Sequence, residues 1–188
     1  LLGFATREFV LERGDAGVSL TKMVNAQNAL GETALIVSAM YGHEDSVGLL
    51  LDAGADVKIA DEGGVTALLT ACTNGNEKIA RRLMEGEGNS AMIEQRGSRG
   101  ETNLMSACRY GHLWMVRTLL TMGAKPNVVD NKGESALMHV CQYEQDDDDE
   151  TLWLLLKAGA SVDLVRPGDS YSALHMACEC CHEEGVAQ

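Results

Sequence analysis

A three-residue cassette recurs five times along the chain: Thr33-Ala34-Leu35, Thr66-Ala67-Leu68, Thr102-Asn103-Leu104, Ser135-Ala136-Leu137 and Ser172-Ala173-Leu174. Its starts lie 33, 36, 33 and 37 residues apart. A period near 33 means one small supersecondary unit used repeatedly; no unit can bury its apolar face alone, and stacking neighbours makes the core continuous. The composition agrees. The 188 residues are 45% hydrophobic but only 4% aromatic, which suits many small contacts between neighbours rather than one bulky centre.

The stretch from Val24 to Ala55 shows the unit most cleanly. It opens with a short polar segment ending at Gly31, which reads as a turn or hairpin. Thr33 stands where a helix N-cap belongs, its hydroxyl able to accept from the first free backbone N–H groups. The run Ala34–Tyr41 is helical in length and apolar, and Gly42 stops it. A second helix over Glu44–Ala53 carries Val47, Leu50 and Leu51 at the i, i+3, i+4 spacing of one buried face. Gly54-Ala55 closes the unit.

This succession resembles the ankyrin repeat over nearly the whole chain. The family pattern runs from a Thr-Pro-Leu-His opening through a small-residue pair, a Gly-His turn and Val-x-x-Leu-Leu to a Gly-Ala end. Thr33, Leu35, Ala39, Gly42-His43, Val47, Leu50-Leu51 and Gly54-Ala55 match it, as do Thr102, Leu104, Ala107, Gly111-His112, Val116, Leu119-Leu120 and Gly123-Ala124. The fifth copy keeps Ser172, Leu174-His175 and Ala177, and glycine precedes four cassettes by two residues, at Gly31, Gly64, Gly100 and Gly133. No copy has the proline after Thr, and only His175 keeps the cassette histidine. Two insertions break the period, within Glu85–Ala91 and at Gln145–Glu150.

The resemblance implies an all-α solenoid of stacked helix-turn-helix units with hairpin-like tips. It divides 1–188 into a partial N-terminal repeat at 1–20, units at 21–55, 56–91, 92–124 and 125–160, and a truncated repeat at 161–188. Val186 falls where Val47 and Val116 fall, and Ala5–Arg13 looks like a second helix without its first, so the chain is expected to be a fragment of a longer one. The family also implies a protein–protein interaction module without catalysis, binding along the face formed by tips and first helices. An alternative is a regulatory or substrate-docking arm of a multidomain enzyme, channel or ubiquitin-ligase receptor.

A formal net charge of −13 argues against nucleic acid, since only Arg81-Arg82 and Arg96–Arg99 offer clustered basic residues, and it favours a basic partner electrostatically. No apolar run approaches the length of a membrane span and no secretory leader is visible. The expectation is an intracellular protein, cytoplasmic or nuclear, with no membrane insertion by this stretch and an oligomeric state that the sequence leaves open. No phosphate-binding glycine loop, Gly-x-Ser-x-Gly elbow or His-Glu-x-x-His pattern occurs, so no catalytic residue and no cofactor is assigned.

Cys72, Cys108, Cys141 and Cys178 each lie six residues after a cassette start, where the first copy has Ala39. They read as a column of small buried thiols, too far apart from unit to unit for disulfides. His175, Cys178, Cys181 and His182 are weak metal candidates, with Cys180 beside them, because one helix rarely supplies all four ligands of a tetrahedral zinc site. A zinc- or redox-sensing end built on them is a third functional reading. The acidic run Asp146–Glu150 lacks the alternating ligands and central glycine of a calcium loop and reads as a solvated loop, with docking of a basic segment as the alternative.

Positions that the repeat pattern leaves free four, seven and eight residues after each cassette start are the candidate partner contacts. They include Met40 and Tyr41, Arg109 and Tyr110, and His139 and Tyr143, so three tyrosines share one repeat position. Tyrosine and arginine supply much of the energy of interfaces. Arg96 and Arg99 join them from the tips, with Val129, Asn131, Lys132 and Arg166 beside them. Trp114 and Trp153 fall on second helices and read as packing residues.

Overall fold

Thr33, Thr66, Thr102 and Ser135 each hold extended backbone, and each hydroxyl accepts from the amide three residues on, starting the helix that follows. The structure is a computed structural model that describes residues 20–85, 90–143 and 148–184. The first helices of the units are α2 (Ala34–Met40), α4 (Ala67–Asn74), α7 (Asn103–Arg109), α9 (Ala136–Gln142) and α11 (Ala173–Glu184). The second helices are α3 (Glu44–Asp52), α5 (Glu77–Met84), α8 (Leu113–Thr121) and α10 (Asp148–Lys157). Two short pieces, α1 (Leu20–Val24) and α6 (Ser90–Ile93), complete the series. No strand is present among the described residues; each tip is a hairpin turn closed by one isolated antiparallel bridge, such as Gln27 with Thr33 and Ala60 with Thr66.

First helices stack in sequence, α2 on α4, α4 on α7, α7 on α9 and α9 on α11, and each of the first four also packs on the second helix of its own unit. The cassette leucine shows what stacking does: Leu35, Leu68, Leu104 and Leu137 are at most 3% exposed, while Leu174 is 73% exposed. Burying each of the first four contributes about 1.5–3 kcal/mol. Among the described residues no unit lies beyond α11 to cover Leu174. The cysteine column follows the same gradient. Cys72 and Cys108 are buried, Cys141 is half-buried and Cys178 exposed, so the expectation of buried thiols holds for the first two only. None of the four is in a disulfide.

The tips are laced to one another. Glu62 N donates to Leu30 O (3.2 Å), Ser98 N to Gly63 O (2.7 Å) and Asn131 N to Arg99 O (2.9 Å). At the next step Pro167 sits in the donor's place and has no N–H to give. The fifth tip still closes its own turn as the others do, Arg166 N donating to Tyr171 O (2.7 Å) and Ser170 N to Arg166 O (3.0 Å). Farther down the units, His112 Nε2 reaches Thr73 O of the preceding first helix (3.1 Å). The retained cassette histidine closes its own cap, with Nδ1 of His175 2.8 Å from Oγ of Ser172.

Each insertion is described in part, residues 86–89 and 144–147 lying outside the described residues. After α5, helix α6 places Met92 and Ile93 in the core, and their carbonyls accept from Nδ2 of the buried Asn103 at 2.9 and 3.2 Å. Asn103 replaces the cassette alanine because the extra helix presents carbonyl groups that need a donor. The acidic run differs from the expected loop. Asp146 and Asp147 lie outside the described residues; the rest of the run begins α10, where the charges of Asp149 and Glu150 complement the helix dipole, and Glu150 pairs with Arg117.

Candidate functional site

Side chains on the first helices that do not face a neighbouring helix turn toward the tips, and between the two runs a groove of about 510 Å³. Its floor is apolar at Leu69 and Met105, which are 5% and 1% exposed, and bonded between neighbours where Thr73 Oγ1 meets Ser106 Oγ at 2.7 Å. Exposed Met40 and Tyr110 overhang it from the helices. Arg99, Asn131 and Lys132 border it from the tips.

The residues singled out from the sequence divide by what they touch. Tyr41 and Tyr110 are 69% and 46% exposed, each stacked on the histidine two residues on. Tyr143 is half-buried and held by Arg109, whose Nη2 donates to the phenol oxygen (2.6 Å) while the guanidinium lies 4.6 Å from the ring centroid. The three tyrosines thus share a repeat position but not an exposure. Arg96 is spent partly on stacking, its Nη1 donating to Val129 O (3.2 Å), and Arg99 lies 3.5 Å from the Glu101 carboxylate. Arg166 is engaged by Glu134 and Asp169, which holds the Asp169 carboxyl below its usual range. Trp114 packs against the core under Arg81, whereas Trp153 is 54% exposed on α10.

His139 is only 3% exposed, so it belongs to the deep end of the groove and not to its rim. Beside it stand Asp130 and Glu134, which the sequence pattern did not single out. One ligand-capable atom from each of the three lies within 4.8 Å of the others. Asp130 Oδ1 accepts from the amides of Lys132 and Glu134 at 2.8 and 2.9 Å, and Glu134 Oε1 accepts from Arg166 Nη1 at 2.7 Å. Burial pushes the His139 imidazole below its ordinary pKa; Glu134 and Asp130 pull the other way, while Arg109 and Lys132 add to the lowering. The usable signal was their spacing: the turn and cassette positions of one unit carry Asp, Glu and His together, which no other unit does.

The His/Cys segment near the C-terminus is placed only in part. His175 is turned to Ser172, Cys178 is exposed on α11, and the side chains of Cys180, Cys181 and His182 lie outside the described residues.

The profile of "Ankyrin repeats (3 copies)" matches residues 54–130 and 104–188, and that of a single ankyrin repeat matches residues 30–62. The chain belongs to the ankyrin-repeat family. Ankyrin repeats are an interaction fold rather than a catalytic one. Similar curated proteins carry such repeats within much longer chains. The ankyrin repeat and KH domain-containing protein mask-1 of Caenorhabditis elegans is 36% identical over 110 residues, which are 57% of this chain and 4% of that protein. Neurogenic locus notch homolog protein 1 of Danio rerio is 32% identical over 140 residues, 74% of this chain and 6% of its own length. The E3 ubiquitin-protein ligase KEG of Arabidopsis thaliana is 32% identical over 126 residues, 66% of this chain and 8% of the ligase. Among the described residues no helix is long and apolar enough to cross a membrane.

Proposed function

We propose that this ankyrin stack is a protein-interaction module whose groove between the first helices and the tips takes an extended segment of a partner protein, without catalysis of its own. The observation that carries the reading is the pairing of a buried apolar floor, Leu69 and Met105, with the exposed overhang of Met40 and Tyr110. Such an arrangement lets a partner side chain lose water on both sides, the condition under which a few residues dominate binding energy. Arg99 and Lys132 at the rim against Glu101, Asp130 and Glu134 below it offer both signs of charge, so the overall −13 biases encounter with basic partners more than it selects them. Tyr41, Arg96 and Tyr143 lie outside this lining and serve as secondary contacts.

Peptides selected by display against the chain should bind at least tenfold more weakly to Met40→Ala and Tyr110→Ala variants of unchanged fold. A Trp153→Ala variant on α10, away from the groove, should bind as the parent does. Peptides indifferent to Met40 and Tyr110 would defeat the reading.

A second reading has its own support: the chain spans 4–8% of the three relatives described above, a ubiquitin ligase among them. On that reading the stack is the docking arm of a longer multidomain protein, and the sequence flanking it decides. The units of 21–55, 56–91, 92–124 and 125–160 are our proposed partition of the stack. An intracellular location, cytoplasmic or nuclear, is supported by four cysteines that form no disulfide.

A further inference from the structure

We propose that Asp130, Glu134 and His139 form a binding site for a divalent transition-metal ion of the zinc type at the deep end of the groove. The argument is independent of whether a peptide occupies that groove.

Repeat register separates what the fold needs from what it does not. Two other tips place one side-chain oxygen at the position of Asp130, where the third has Gly97: Asn28 Oδ1 accepts from the amides of Leu30 and Glu32 at 2.9 Å, and Asp61 Oδ1 accepts from Val65 N at 2.8 Å. Asp130 Oδ1 does the same work, and its Oδ2 is left over. At the position of Glu134 the first and third units also carry glutamate, Glu32 and Glu101, and the second has Val65; at that of His139 the first three units have Val37, Thr70 and Ser106. Glutamate is therefore common at its position, whereas the imidazole of His139 is peculiar to this unit.

The imidazole is the independent witness. It is 3% exposed, its Nδ1 is buried without a partner, and its Nε2 stands 3.7 Å from Asp130 Oδ2, beyond hydrogen-bonding distance. Burying an imidazole without a hydrogen bond is costly, and so is burying two carboxylates when the Arg166 guanidinium is paired with Glu134 and Asp169. A metal ion held through Nε2 gives the imidazole a bond on the side that faces Asp130, and gives the carboxylates a second positive centre.

Donor chemistry selects the ion. One imidazole and two carboxylates suit zinc and its neighbours, whereas calcium and magnesium take shells of oxygen. Zinc bonds to nitrogen and carboxylate oxygen are about 2.0–2.2 Å, which sets tetrahedral ligand atoms roughly 3.3–3.6 Å apart. Asp130 and His139 are close to that spacing at 3.7 Å, and the widest separation, 4.8 Å, asks for about 1 Å of side-chain movement. Three protein ligands leave a fourth position, and all three line the groove, so water or a donor from an occupant can fill it.

The test is zinc titration of metal-stripped chain by calorimetry, with melting temperature and the cobalt(II) spectrum as further readouts. Asp130→Asn is the central variant, because Asn28 shows that asparagine serves the tip equally well; His139→Ala is the second. The expected result is one zinc per chain with a rise in melting temperature, affinity at least tenfold weaker in both variants, and cobalt bands without thiolate charge transfer. No zinc binding, binding unchanged in both variants, or a thiolate band that assigns the ion to Cys178 and its neighbours would each overturn the proposal.

Discussion

Gly100→Ala tests how the tips are held together. Gly100 has φ +76°, and a Cβ there would stand 2.9 Å from Asn131 N and 2.5 Å from Asn131 Oδ1. The side-chain oxygen can swing away; the backbone nitrogen cannot move without lengthening its 2.9 Å bond to Arg99 O. The 2.9 Å bond from Asn131 Nδ2 to Ser98 O is disturbed as well. Left-handed backbone costs an alanine about 1–2 kcal/mol. Two weakened hydrogen bonds, partly replaced by water, add about 0.5–1 kcal/mol each, giving about 2–4 kcal/mol in all. Gly123→Ala is the matched control: its φ is +91°, nothing lies within 4 Å of the added carbon, and it should cost only the conformational ~1–2 kcal/mol. Urea unfolding followed by far-ultraviolet circular dichroism should therefore place Gly100→Ala about 1–2 kcal/mol below Gly123→Ala. Equal stabilities for the two variants would refute the claim that contacts between tips, and not backbone preference alone, fix glycine at this position.

Three other outcomes follow from burial and capping. Leu104→Ala should cost about 2–5 kcal/mol by the same unfolding measurement, whereas Leu174→Ala, at the same cassette position but 73% exposed, should stay within about 0.5 kcal/mol of the parent. Thr66→Ala removes the hydroxyl that accepts from Leu69 N (3.1 Å) and should lower stability by about 1 kcal/mol, with Thr66→Ser restoring most of it. Peptide-resolved alkylation of native protein should modify Cys178 first and Cys141 more slowly. Cys72 and Cys108 should react only on unfolding, since both are buried, and burial raises the Cys72 pKa and suppresses the reactive thiolate.

The candidate site was only partly legible in the sequence. Counting positions from each cassette found Met40, Arg109, Tyr110 and His139, all of which line the groove together with Arg99 from the tips. The same counting treated Tyr143 as the equal of Tyr41 and Tyr110, although Arg109 holds it through both ring and hydroxyl. It also treated Arg166 as a free tip residue, although Glu134 and Asp169 engage it. Long charged side chains can turn to solvent or to a neighbour with the same Cα position, and the backbone pattern does not choose between these.

What the sequence determined by itself is the part of the fold governed by short-range rules. The period, the hydroxyl caps at Thr33, Thr66, Thr102 and Ser135, the turn glycines and the leucine faces each depend on residues a few positions apart. Tertiary structure alone decided the rest: which cassette leucine remains open, why Asn103 belongs beside an inserted helix, and how deep His139 lies against Asp130 and Glu134. These depend on the offset between one unit and the next. That offset is set by packing of whole helices, and a shift of an ångström there makes or breaks a contact while leaving the repeat pattern unchanged.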